Sequence, residues 1–312
     1  MYLSERRCGR PLLLVLATAA ALLVAGATPA TAAPSADQVS PETATSNVRD
    51  LAPAPNPAAE APTTSSPSHA GTGIPSGPRA YATDEGALGI NSIIPPDERY
   101  RINPTTGFPY RAVALITFSG GRCTGWFYGK DVVGTAGHCL HTGGPWGSWR
   151  TDVRVYPGNN GSSGAPYGSC TAKSLHSVVG WTTNRKPDYD YGTVKLNCTV
   201  GNIVGWFGYW WQSASLNGQL TRVCGYPGDK PLEQWCGDLD NGVPARVTNT
   251  TTQEVFYRND TLGGVSGAAV FQNRAGCGQC SMAFHGYGGS VNSGKRITQA
   301  TFNNMRYWTS LP

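Results

Sequence analysis

Charge is scarce in this chain. Only 14% of its 312 residues are Asp, Glu, Lys or Arg, against about a quarter in an average domain. Methionine appears three times and histidine five. After residue 26 no apolar run approaches the roughly 20 residues that cross a bilayer, so the body has no membrane-spanning segment and no membrane partner is expected. No nucleic-acid partner is expected either. What the chain has instead is 40 glycines, nine tryptophans and 14 tyrosines, a composition that fits a turn-rich β protein better than a helical one.

The N-terminus is a separate case. Arg6, Arg7 and Arg10 precede an almost wholly apolar Pro11–Gly26, and Ala30-Thr31-Ala32 offers small residues for cleavage. Residues 1–33 therefore read as a secretory signal peptide, and the protein as secreted and extracellular. Cys8 leaves with the signal. Eight cysteines remain: Cys123, Cys139, Cys170, Cys198, Cys224, Cys236, Cys277 and Cys280. In an oxidising compartment they imply disulfides, for which eight cysteines allow 105 pairings. Sequence neighbours suggest 123–139, 170–198, 224–236 and 277–280. A zinc reading of Cys277-Gly278-Gln279-Cys280 lacks a second ligand pair, so neither metal nor other cofactor is expected.

Residues 34–91 are rich in Pro, Ala, Ser and Thr and poor in aromatics, and they read as an unstructured prosegment. Their charge is acidic: Arg49 and Arg79 stand against six carboxylates. From Ser92 onward the balance is basic, with 19 Lys+Arg against 12 Asp+Glu. An acidic leader on a basic body suggests a prosegment that docks on its own body before removal; a passive spacer is the alternative.

Beyond Ser92 short β-branched and aromatic runs are punctuated by Gly, Pro, Asn and Asp. Strands are expected at 112–118, 125–128, 132–136, 153–156, 191–196, 220–224, 254–257, 268–271 and 282–287. One helix is expected near the C-terminus, capped by Thr298 and burying Phe302, Met305 and Trp308. The aromatic run Trp206–Trp211 reads as packing at a domain boundary rather than a sugar platform. His69, His141 and His176 read as polar surface residues.

Three stretches carry chemistry. In Asn259–Phe271, Gly263 and Gly264 let the chain bend tightly before Ser266. The N–H groups of Gly264 and Ser266 would then form an oxyanion hole. In Thr135-Ala136-Gly137-His138-Cys139 a histidine follows a buried strand, held by a cysteine whose suggested partner is Cys123. In Asp188-Tyr189-Asp190-Tyr191-Gly192, Asp190 precedes a strand and is preferred to Asp188 as the carboxylate that orients an imidazole. The order His138, Asp190, Ser266 is that of the chymotrypsin type, and the three motifs together resemble the chymotrypsin-like serine proteases.

The likeness narrows on Phe108–Val113, Cys123–Trp126, Asp188–Gly192, Val204–Tyr209, Gly225–Lys230 and Arg296–Thr298. These resemble the bacterial glutamyl endopeptidases of bacillary and staphylococcal type, over essentially Ser92 to the C-terminus. The resemblance implies an all-β fold of two antiparallel six-stranded barrels with a C-terminal helix. Residues 92–205 would carry His138 and Asp190, and residues 206–312 would carry Ser266 and the specificity pocket. It implies a monomeric serine endopeptidase acting on proteins or peptides after Glu, and less readily after Asp. In that family a threonine five residues before the serine and a histidine on the next strand bind the substrate carboxylate. Here they are Thr261 and His285, with the backbone of Gly286, Tyr287 and Gly288 pairing with the substrate chain.

Three departures stand out: Val265 replaces a polar residue, Ser266-Gly267-Ala268-Ala269 replaces Ser-Gly-Ser-Pro, and Cys170, Cys198, Cys224 and Cys236 are additional. Two other readings compete. Asp260 lies where trypsin-type enzymes bind Lys or Arg, and a protease-like binding protein without catalysis would keep the fold alone. The body's glutamates are only Glu98, Glu233 and Glu254, against nine aspartates, which suits an enzyme that cuts after glutamate. A mature N-terminus is expected at Ser92, after a cut by a second protease at Asn91.

Overall fold

A computed structural model describes residues 39–48, 54–59, 61, 63–87 and 93–312. The expected signal peptide lies outside these residues, as does the Asn91–Ser92 junction.

Val113–Phe118 and Gly121–Phe127 are buried along their whole length. A strand buried on both faces needs partners on both edges and a core on one side. The answer here is closure. The antiparallel order runs Cys170–Val178, Arg154–Pro157, Val113–Phe118, Gly121–Phe127, Val132–Thr135 and Gly192–Leu196, and the last pairs back with the first. This is a closed six-stranded barrel, in which the second half of Cys170–Val178, beyond its pairing with Arg154–Pro157, keeps one edge open to a further strand. Its core includes Leu115, Ile116, Trp126, Val133 and Val194, all fully buried.

A second sheet runs Val247–Thr250, Glu254–Tyr257, Asn292–Arg296, Gly278–Tyr287, Ala269–Arg274, Arg222–Gly225, Trp235–Gly237 and Tyr100–Arg101. It curls into a half-barrel. Its far ends meet irregularly: Leu220 bridges Arg246, and the N–H groups of Thr221 and Val247 donate to Ala245 and Gln219 carbonyls. The all-β expectation holds, with a closed first barrel and a more open second one. The helix Gln299–Ser310 follows, capped by Thr298, whose Oγ1 accepts the Thr301 N–H at 3.2 Å. Phe302, Met305 and Trp308 are fully buried, as their spacing predicts.

All four disulfides join sequence neighbours: Cys123–Cys139, Cys170–Cys198, Cys224–Cys236 and Cys277–Cys280. The Trp206–Trp211 run packs inward. Phe207 meets Trp126 and Phe271, and Tyr209 meets Tyr128 and Phe302.

Two expectations need correction. His141 and His176 are buried, not surface residues. His141 lies against Trp149 and accepts the Gly143 N–H, while His176 bonds Ser174 and stacks on Trp308. Burial, with Lys195 nearby, pushes His176 down to about 4. The leader is the second correction. Its described residues are not a loose tail: Ala44–Ser46 adds an antiparallel strand beside His176–Val178, and Ser65–Ser66 pairs with Tyr209–Trp210. The composition is that of a chain that cannot build its own core, and here it borrows the body's.

Candidate active site

Strand Val132–Thr135 delivers a short 3-10 turn, Gly137–Cys139, that holds His138. Gly137 has a steric reason to be glycine. A Cβ there would lie 2.9 Å from Asp190 Oδ1 and 2.8 Å from the Trp181 ring. A second 3-10 turn, Pro187–Tyr189, delivers Asp190. Asp190 is 1% exposed and accepts twice from one residue: the His138 backbone N–H reaches Oδ1 at 2.7 Å, and Nδ1 reaches Oδ2 at 2.7 Å. Asp188 is exposed. The paired contact fixes the imidazole with Nδ1–H toward the carboxylate, leaving Nε2 as the free base. Nε2 is buried and has no hydrogen-bond partner among the described residues.

Ser266 lies in the loop between Glu254–Tyr257 and Ala269–Arg274, and is 3% exposed. The loop is set against the histidine turn. The Ser266 carbonyl accepts the Thr124 N–H at 2.9 Å. Gly267, at φ +88°, leaves room for a Cβ only 2.0 Å from Thr135 Oγ1, so no other residue fits. Gly264 is also left-handed, at φ +99°. Among the described residues, neither the Gly264 nor the Ser266 N–H donates to a backbone carbonyl. Two donors are thus available beside the serine. No hydrogen bond joins Ser266 Oγ to His138 Nε2 among the described residues; such contacts often tighten only when substrate is bound.

The residues expected to hold a carboxylate lie on the same loop and the adjoining strand. Thr261 is 1% exposed, and its buried hydroxyl has no partner among the described residues. His285 sits on Gly278–Tyr287, where its N–H donates to the Ala268 carbonyl and its own carbonyl accepts from Gly267. Its Nδ1 lies 2.7 Å from the Tyr257 hydroxyl. Burial, helped by the nearby His138, pushes His285 down to about 3, so it is neutral when the site is empty. Gly286 is the extra residue of a bulge between His285 and Tyr287, out of register with Asn292–Arg296. The Tyr287 ring centroid is 6.0 Å from that of His138. Burial first, and then the Asp190 carboxylate, raise the Tyr287 hydroxyl above its usual range. Gly288 follows the strand's end, half-buried.

Asp260 is turned elsewhere. Its two oxygens accept the N–H groups of Ile94 and Glu98, each at 2.8 Å. Three further contributors escaped sequence reasoning. Tyr257 braces His285, Trp181 lies 6.2 Å edge-on to His138, and Arg150 donates to the His138 carbonyl at 3.3 Å. Each is 12 or more residues from its partner in sequence, and no local signal marks it.

A serine, a histidine and a carboxylate set between two curled antiparallel sheets define a class, and the comparisons agree. The chain belongs to the Trypsin family, which matches residues 101–306. It is similar to a glutamyl endopeptidase of Bacillus licheniformis, with 41% identity over 228 residues, covering 70% of this chain and 69% of the relative. A Bacillus subtilis protein named extracellular metalloprotease is 39% identical over 228 residues, 70% of each chain. A solved Glu endopeptidase in complex with MPD matches with TM-score 0.63 and 28% identity, over 70% of this chain and 99% of that one. The protein is a serine endopeptidase that groups with the bacterial glutamyl endopeptidases.

The name of the second relative implies a metal. Among the described residues, the three-residue grouping whose ligand atoms approach one another is Cys123, His138 and Cys139. Its two sulfurs are bonded to each other, so the set does not fit a thiolate-held ion.

Proposed function

We propose that the protein is secreted and hydrolyses peptide bonds after glutamate, and less readily after aspartate. Ser266 attacks the scissile carbonyl, and its proton passes to His138 Nε2. Asp190 holds the tautomer and stabilises the imidazolium. The oxyanion of the tetrahedral intermediate accepts from the N–H groups of Gly264 and Ser266. His138 then protonates the leaving amine. Water repeats the cycle on the acyl-enzyme and frees the acid product.

One observation carries the specificity: a buried, unpartnered Thr261 hydroxyl on the serine's own loop, with His285 on the adjoining strand. A substrate carboxylate entering a closed pocket loses hydration worth several kcal/mol, and it needs charge-assisted donors in return. When the Tyr257 hydroxyl donates to Nδ1, the other nitrogen of His285 carries the proton and can donate to the carboxylate. The binding-loop pattern at Gly286, Tyr287 and Gly288 leaves backbone for the substrate strand. The trypsin-like alternative is weakened because both Asp260 oxygens already accept backbone N–H groups. The test is digestion of a denatured protein of known sequence, with the cleaved bonds read by mass spectrometry. Cuts after Glu are expected; cuts after Lys or Arg that disappear in Asp260→Asn would replace this reading with a trypsin-like one.

The enzyme is made as a monomeric zymogen. Asp84 of the leader pairs with Arg122 at 2.9 Å, and Ala87 lies against Gly228 and Gly264, beside the proposed oxyanion hole. Removal of the leader opens that side. Cleavage after Asn91 places Ser92 at the mature N-terminus, which Edman sequencing of the secreted protein reads directly. A start at Gly86 would instead mark self-cleavage after Glu85.

A further inference from the structure

Lys295 is 2% exposed and sits in the middle of Asn292–Arg296, with its ammonium over the rings of Tyr189 and Tyr191. A buried ammonium needs a carboxylate, and among the described residues the one within ion-pair reach is Glu42, of the leader, at 3.2 Å. Gln253 also accepts from it. The other Glu42 oxygen accepts the Tyr191 hydroxyl. Asn304, on the C-terminal helix, donates to that hydroxyl at 2.8 Å and to the Glu42 carbonyl at 2.9 Å. Glu42 itself is 7% exposed.

The rest of the segment is held by backbone. The N–H groups of Gly180 and Val179 donate to the Pro41 and Thr43 carbonyls at 2.8 and 2.9 Å. Ala44, Thr45 and Ser46 face Val178, Ser177 and His176 in antiparallel register, and Asn47 accepts the Leu175 N–H. Backbone pairing of this kind accepts many sequences. The buried cation behind Tyr191 accepts only an anion.

We propose that Lys295, Tyr191 and Asn304 form a second carboxylate-recognition site, separate from the substrate pocket. Its ligand is the extended segment 39–48, docked as a detachable strand with Glu42, its one charged residue, as the anchor. The segment covers the back of the Asp190–Tyr191 turn, on a surface that belongs to the enzyme and persists when the leader is cut away. The site is independent of the catalytic reading, since none of its three residues is assigned to the reaction.

The test uses the full chain carrying Ser266→Ala, so that no self-cleavage intervenes. In that background Glu42→Gln keeps the shape of the side chain and removes its charge. Hydrogen exchange at the Val179 and Gly180 amides is expected to quicken at least tenfold, with the amides of Val113–Phe118 unchanged. Tyr191→Phe, which removes one donor to the carboxylate and none of the strand pairing, is expected to quicken the same amides by a smaller factor. On the processed, secreted protein carrying Ser266→Ala, so that the peptide is not cut after Glu42, a labelled peptide of residues 39–48 is expected to bind at least tenfold more tightly than its Glu42→Gln counterpart by fluorescence anisotropy. Unchanged exchange in Glu42→Gln, or two peptides that bind equally or not at all, would overturn the proposal.

Discussion

Asp190 gives both of its oxygens to His138, one to the backbone N–H and one to Nδ1. A carboxylate held this way sets both the position and the tautomer of the ring. Ser266→Ala or His138→Ala is therefore expected to lower turnover by about 10⁶, and Asp190→Asn by about 10⁴, measured on a glutamyl peptide substrate. Asp188 is exposed, so Asp188→Asn should leave the rate near that of the wild type; a larger loss there than in Asp190→Asn would mean that the wrong aspartate has been assigned. His285 tests specificity in the same assay. His285→Val should cut glutamyl hydrolysis at least tenfold while an active-site acylating reagent still modifies Ser266. Equal losses in both readouts would make His285 a structural residue only.

At the scale of elements, the two 3-10 turns and the serine loop are tied together through close glycine contacts. Gly137→Ala would place a methyl 2.9 Å from Asp190 Oδ1 and 2.8 Å from Trp181. The expected outcome is a drop in kcat of at least tenfold with the far-ultraviolet spectrum unchanged, because the clash falls on the carboxylate and not on the barrel core. Wild-type kcat in this variant would show that the turn has slack the geometry does not suggest. Three strands that sequence missed share one trait. Cys170–Val178, Val247–Thr250 and Asn292–Arg296 are strands built largely of polar or small residues. Ser177 and Lys295 are buried in them because each finds a hydrogen-bonding or ionic partner from elsewhere in the fold, while Ser174 and His176 bond each other and His176 stacks on Trp308. Alternation of apolar and polar residues is the signal for a strand, and a buried polar residue with a distant partner erases it.

At the scale of the whole molecule, acid should unfold this protein partly through its histidines. His176 and His285 are pushed down to about 4 and about 3 by burial. In the unfolded chain each takes up a proton below about 6.5. Between 6.5 and those lower values the unfolded state holds more protons, so stability falls as pH falls, by up to about 1.4 kcal/mol per pH unit for each histidine. The loss of Tm from pH 7 to pH 4.5 should be smaller in His176→Gln than in the wild type. An equal loss in both would show that His176 does not contribute.

What the sequence determined by itself was local or ordered along the chain. The turn chemistry around Ser266, the strand-to-histidine motif, the order His138, Asp190, Ser266 and the family likeness were all readable there. So were the pairing of neighbouring cysteines and the face of the C-terminal helix, since contiguous residues encode those. Tertiary structure alone decided what depends on who lies opposite. It supplied the Ile94 and Glu98 backbone N–H groups that hold Asp260, braced His285 with Tyr257, and brought Glu42 to Lys295. The physical reason is that burying a polar or charged group is costly until a partner is found, and the fold supplies partners from distant parts of the chain.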